Sequence, residues 1–173
     1  MAYKGFLKIA ATSAAMGVGG DGEGHRKFTL VECQYQFHRE VNENGTPKDG
    51  VTGGRIIATI VTPQKNLFIY RWLFEEKLEN GMVEINNSQN EPHYIMFERA
   101  RCVDIYEYFN GQSKNMMTTR LTIQCPEIGF YGFNEDSFAY DFRFQYLRPF
   151  INGKTYAKPI SHDDLMLEAV QTM

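Results

Sequence analysis

Gly17-Val18-Gly19-Gly20-Asp21-Gly22 satisfies the GxGxxG spacing of a dinucleotide-binding turn, so phosphate binding is the first chemistry to test. That chemistry needs a helix opening directly after the glycines, so that its first free amides face the pyrophosphate. The next residues, His25 to Val41, alternate like a strand instead, so the glycines read as a loop. Gly153-Lys154-Thr155 matches the end of a phosphate-cradling loop, but Arg148 stands where that loop requires a glycine. The four histidines, His25, His38, His93 and His162, are scattered without HExxH or paired Cys/His spacing. His162-Asp163-Asp164 could supply two ligands of a facial triad, but with no second histidine nearby it reads as a solvated helix start. Glu75, Glu76 and Glu79 read as the wet edge of an otherwise apolar helix, and no serine sits in a G-x-S-x-G elbow. No catalytic residue, cofactor site or metal site is assigned, and the chain reads as a non-enzyme.

Cys33, Cys102 and Cys125 form an odd set without CxxC spacing, each within or at the end of a strand-like run, and read as buried free thiols. The sequons Asn44-Gly45-Thr46 and Asn86-Asn87-Ser88 carry little weight in a chain expected to fold in the cytoplasm. Lys4, a short apolar run and Ala10, Ala11, Ala14 and Ala15 imitate a signal peptide, but Lys8 interrupts the run and leaves it too short. No uncharged apolar stretch is long enough to cross a bilayer, so no membrane insertion is expected.

The elements that would carry any site are mostly strands. Tyr3 to Ala10 reads as a first strand. In His25 to Val41, the residues Val31, Cys33, Tyr35 and Phe37 share one face, and Glu32, Gln34, Gln36 and His38 share the other. Asn42 to Gly54 is a long polar excursion, and a loop that long on a small domain usually has a function. After a strand over Arg55 to Val61, Thr62-Pro63 predicts a helix start, with the helix running to about Asn80 and stopping at Gly81. On that helix Leu67, Tyr70, Phe74 and Leu78 form one stripe, while Phe68, Ile69, Trp72 and Leu73 cover much of the rest. Such a helix needs covering on more than one side, by its own domain or by a neighbouring subunit.

Strands are then predicted over Met82 to Asn86, His93 to Phe109 and Asn115 to Cys125, with a hairpin turn at Asn110-Gly111. At roughly 3.3 Å per residue, His93 to Phe109 would span about 50 Å if straight, so it has to bend, bulge or project. In the following strand Met117, Leu121 and Ile123 lie on one side, and Thr118, Arg120, Thr122 and Gln124 on a face suited to water. From Gly129 onward the pattern is a less regular extension, ending in a short helical tail from about His162.

A length of 173 residues suits one domain with a real core, and 14% aromatics, largely Phe and Tyr, favour a β-rich fold over disorder. A net charge of −3, evenly spread, leaves no electrostatic footprint for nucleic acid.

The order of elements is similar to that of the Hcp (TssD) family, the tube proteins of type VI secretion systems. The similarity is carried by Phe6-Leu7-Lys8-Ile9, the loop ending Gly22-Glu23-Gly24-His25, and the strand Thr29 to His38. It continues through the excursion Asn42 to Gly54, the Gly-Gly-Arg lead into a strand, Thr62-Pro63 before the lone helix, Glu98 to Tyr108, and Thr118 to Phe130. It covers roughly residues 3 to 130. Two departures mark a divergent branch: the Gly17 to Gly24 loop with the alanines before it, and the tail of about forty residues after Phe130.

The resemblance implies a mainly β fold: a compact β-barrel with one flanking helix over residues 1–130, and an irregular C-terminal extension over 131–173 that packs on the barrel or a partner. It implies homohexameric rings stacked into a hollow tube, with sheath and spike proteins and effector cargo as partners. The protein would be cytoplasmic before firing and secreted without a cleaved signal peptide. Within that scheme Asn44, Gly45, Thr46, Pro47, Lys48 and Asp49 are expected to join rings, and Phe68, Ile69, Trp72 and Leu73 to form a subunit contact. Thr118, Arg120, Thr122 and Gln124 would face the lumen or solvent. The competing readings are the tube of a phage-tail-like contractile particle, a monomeric barrel that carries a small apolar ligand, and a hydrolase or metal enzyme.

Overall fold

Strict alternation along Arg55–Val61 puts Ile56, Ala58 and Ile60 at zero exposure, and the same period puts Leu121 and Ile123 of Thr118–Gln124 beside them. Burying each such Leu or Ile contributes about 1.5–3 kcal/mol, which fixes the register, since a one-residue slip would turn the whole set outward. The structure, a computed structural model, describes residues 4–10, 25–63, 67–87, 92–112, 117–131 and 137–149. The elements are β1 (Lys4–Ala10), β2 (His25–Tyr35), β3 (Arg55–Val61), α1 (Phe68–Phe74) and β4 (Glu79–Asn86). They continue as β5 (Pro92–Tyr108), β6 (Thr118–Gln124), β7 (Glu127–Tyr131), β8 (Ser137–Asp141) and β9 (Tyr146–Pro149). The Gly17–Gly22 and Gly153–Thr155 matches, the hairpin's 113–116 segment and the tail helix from His162 lie outside the described residues.

The strands run in the order β4-β1-β2-β3-β6-β5, and β4 pairs with β5 to close a six-stranded barrel. Closure depends on the 17-residue β5. Its first half pairs with β4 on one side and β7 on the other, and its second half pairs with β6. Between the halves Arg99 takes a positive φ of 51° and donates its N–H to Asn80 Oδ1 at 2.8 Å, and a bulge follows between Cys102 and Asp104. The overlong strand therefore bends and bulges, as its length requires. β7, β8 and β9 extend the sheet from β5, so residues 137–149 of the extension form two ordered antiparallel strands.

The helix is shorter than Thr62-Pro63 to Asn80. Thr62 N donates to the Met117 carbonyl at 3.0 Å and its hydroxyl meets that of Thr119 at 2.8 Å, so Thr62 prolongs the β3–β6 pairing instead of capping. The helix starts behind Leu67, without a side-chain cap. Glu76 at φ 52° breaks it, and Glu79 already belongs to β4. Gly81 is not a helix stop. It sits in β4 opposite Ile9 and Phe97, where a Cβ would fall on the Phe97 ring and the Lys8 carbonyl. Ladder pairing of β4 outweighs the helical propensity of Glu79 and Asn80.

Ile69 and Trp72 are fully buried and Phe68 nearly so, all inside this chain's own core beside Ile95, Phe97 and Ala100. They are not available to a neighbouring subunit, and Leu73 is only partly exposed against the same core. The outward stripe is the other one: Leu67 is 68% and Phe74 78% exposed, with Leu78 exposed just beyond the helix. In β2 a register shift between Leu30 and Glu32 pushes Val31 outward at 56% exposure, off the face on which Cys33 packs against the core, and Tyr35 is itself exposed.

Candidate functional site

The excursion between β2 and β3 is an ordered arm, not a loose loop. β2 ends at Tyr35, but the hairpin continues through paired bonds between His38 and Thr52, with N–O distances of 2.9 and 2.8 Å. Lys48 N donates to the Glu40 carbonyl at 2.8 Å, and Asn42 N to the Thr46 carbonyl at 2.8 Å, where the chain turns. Gly45 holds a φ of 82°, a conformation that glycine adopts without strain. Asn44 Oδ1 accepts from Thr46 N at 3.1 Å and from its hydroxyl at 2.6 Å. Lys48 Nζ lies 3.0 Å from the Glu40 carboxylate; being exposed, this pair stabilises by about 0–1 kcal/mol. Asn44 to Asp49 are all exposed at the tip.

Behind the arm, the far part of β2, all of β3 and β6, and the second half of β5 make a four-stranded sheet. Thr118, Thr122 and Gln124 are half-buried and Arg120 exposed on its outer face, the opposite phase from buried Thr119, Leu121 and Ile123. Asp104, Tyr106 and Tyr108 stand across from Thr122, Arg120 and Thr118, with the Arg120 guanidinium 5.0 Å from the Tyr106 ring centre. Where β2 and β3 lead into the arm, beside the end of β6, this face forms a depression of about 590 Å3 lined by residues including Gln34, His38, Thr52, Arg55 and Gln124.

The edges of this sheet are the feature that sequence reasoning missed. Among the described residues, 32–35 pair only with β3, the β1 pairing running as far as Leu30. Among the described residues, 101–108 pair only with β6, since β4 and β7 leave β5 by Ala100. Among the described residues each outer side is open, and Val103, Tyr106, Tyr108 and Phe109 are exposed along the β5 edge, Phe109 at 70%. The one sequence signal was the excess length of His93 to Phe109. At the inner corner, the Tyr70 hydroxyl donates to the Glu107 carboxylate, which also accepts from Thr119 Oγ1 at 3.2 Å. The bond to Glu107, with burial behind it, pushes the Tyr70 phenol up to about 12.

No group of three or more His, Cys, Asp or Glu able to hold a metal ion occurs among the described residues. The three cysteines are free thiols. Burial pushes Cys33 and Cys102 up to about 11 and Cys125 higher still, the reverse of what a nucleophile requires. Leu7, Ile9, Phe28 and Ile60 of the strands and Trp72 of the helix belong to one buried apolar core. No described helix is long and apolar enough to cross a membrane.

Among the described residues, a closed six-stranded barrel with one short helix, a projecting β-hairpin and an edge-exposed sheet defines a β-barrel scaffold. The chain belongs to the hemolysin coregulated protein Hcp (TssD) family, whose model matches residues 1–137, and with it to the tube proteins of type VI secretion. Among solved structures it is similar to Hcp1 from Flavobacterium johnsoniae, at 18% identity and a TM-score of 0.60, covering 80% of this chain and 98% of that one. It is also similar to Hcp1 from Salmonella typhimurium, at 11% identity and a TM-score of 0.65, covering 86% and 100%. A further structure, of a type six secretion system protein, aligns at 8% identity and a TM-score of 0.67, covering 85% and 100%. At these identities the solved structures speak for the fold. No curated protein sequence matches the chain.

Proposed function

We propose that six copies close into a ring, that rings stack into a hollow tube, and that the tube is a structural carrier without turnover. The observation that carries this reading is the pair of edges, open among the described residues, on opposite sides of one four-stranded sheet. An edge at 32–35 and a different edge at 101–108 favour a head-to-tail contact, which generates a ring when its rotation closes. Pairing these edges between copies would also remove an aggregation hazard. The outer sheet face with Thr118, Arg120, Thr122 and Gln124 is polar, as a water-filled lumen holding effector cargo needs. The exposed arm, with Asn44 to Asp49 at its tip, suits a reach toward the next ring. Sheath and spike proteins are the partners that this role requires, and the barrel plus extension acts as one subunit, cytoplasmic before firing and then expelled without a cleaved signal. Electron microscopy of the purified protein tests the reading: rings that stack into tubes support it, and deletion of Asn44 to Asp49 should leave rings without tubes.

A further inference from the structure

The arm has a weakness that its own sequence does not resolve. Beyond Tyr35 and before Arg55 it is a two-stranded hairpin whose residues are mostly exposed, and an isolated hairpin is marginal in water. Something outside the hairpin has to fix its direction if it is to meet a partner in a defined geometry.

That support comes from the turn between β8 and β9. Asp141, with zero exposure, organises the turn: Oδ1 accepts from the N–H of Arg143 at 2.9 Å, and Oδ2 from its guanidinium at 2.6 Å. Gln145 N donates to the Asp141 carbonyl at 2.8 Å, and Gln145 takes a φ of 56°, which aims its amide at the base of the arm. There Gln145 Oε1 accepts from Val51 N at 2.6 Å, and Nε2 donates to the Val51 carbonyl at 3.1 Å. The side-chain amide thus engages both backbone groups of one residue, as a neighbouring strand would. Its remaining capacity is also filled, by the Tyr140 hydroxyl at 2.8 Å on Oε1 and the Phe142 carbonyl at 2.8 Å on Nε2, so the amide has one orientation.

Phe142 supplies the second contact. Its N–H is held by the Pro126 carbonyl at 3.0 Å, which ties it to the barrel, and its ring stacks on Phe37 of the arm with centres 5.9 Å apart and planes 7° apart. The backbone of Gly53 and Gly54 lies against the same ring. A Cβ at Gly54, whose φ is 80°, would meet the Cys125 carbonyl and Phe142, so the glycines are what allow this approach.

We propose that the β8–β9 turn is a strut that sets the direction of the β2–β3 arm, with Gln145 and Phe142 as positioning residues for ring-to-ring contact. The consequence for assembly rests on the reading of the arm given above; the strut itself does not. The test is hydrogen exchange, followed by mass spectrometry or NMR, on Gln145→Ala and separately on Phe142→Leu. The informative amides are those of His38, Thr52, Asn42 and Lys48, none of which bonds to Gln145 or Phe142. In Gln145→Ala about tenfold faster exchange at these amides is expected from losing the two hydrogen bonds to Val51, and in Phe142→Leu a smaller rise from losing the ring stack, with β1, β3 and β6 unchanged. Unchanged exchange at these four amides in both variants overturns the strut. Shortened tubes with intact rings would extend the result to assembly. Loosened amides with tubes of normal length would leave the strut standing and overturn the arm's role in stacking.

Discussion

The indole N–H of Trp72 lies 3.3 Å from the carbonyl oxygen of Ala100 and 3.0 Å from that of Lys77, so the helix is pinned to β5 beside the bend at Arg99. This contact lies within one chain and is fully buried. Trp72→Ala should lower the unfolding free energy by about 3–5 kcal/mol, measured by urea denaturation. Phe74→Ser, on the outward stripe, should change it by less than about 0.5 kcal/mol. A Trp72 variant that kept full stability but lost only its oligomeric state would show that the tryptophan belongs to an interface.

The thiols give a readout of strand phase. Cys33 and Cys102 ionise only toward about 11, above an ordinary value of 9.0, and burial lifts Cys125 further. At pH 8 a small thiol reagent should therefore label the folded protein slowly and all three sites quickly in denaturant. Thr122→Cys, on the outer face of β6, should add one fast site. Protection of that site in the isolated ring would contradict the outward phase of Thr122.

Lys8 and Glu84 form an ion pair at 2.7 Å on neighbouring strands, with side chains only 6% and 13% exposed. Removing one partner strands the other charge, so Lys8→Ala should destabilise by about 3 kcal/mol. The double change Lys8→Met with Glu84→Leu should recover most of that loss. A single variant as stable as the parent in thermal melts would count against the pair.

How much of this was legible beforehand depended on where local pattern and tertiary pairing agree. Along Arg55–Val61 and Thr118–Gln124 the period-two pattern and the burial coincide, because each strand has a dry and a wet side. Glu75 to Asn80 looks helical in isolation, yet the chain turns at Glu75 and Glu76, and the ladders to β1 and β5 claim Glu79 and Asn80 for β4. On the helix itself both apolar stripes are similar in composition, and burial of Ile69 and Trp72 against β5 decides which is core. The Val31 bulge leaves no mark in a sequence that alternates straight through it. Within the extension, β8 and β9 are short and carry a proline at 149, so their pairing register is visible only in three dimensions.

Acid should loosen the β8–β9 turn first. Burial alone would raise the Asp141 carboxyl, but the Arg143 guanidinium and the backbone N–H groups of Arg143 and Phe144 outweigh it and hold the group below its ordinary value of 3.8. A carboxyl depressed in the folded state adds stability that is present above its unfolded value and is lost as pH falls through the folded value. Melting temperature should therefore drop below about pH 4, and Asp141→Asn should flatten that slope. An equally steep acid slope in Asp141→Asn would assign the effect to other groups.

The most direct test of the whole account is the mass of the purified protein in dilute solution, by native mass spectrometry or light scattering. A species of six times the 20.0 kDa chain mass is predicted, broken down by charged substitutions at Val103 and Tyr106 on the open edge of β5. A stable 20.0 kDa particle at micromolar concentration, soluble with both sheet edges unpaired, would contradict it.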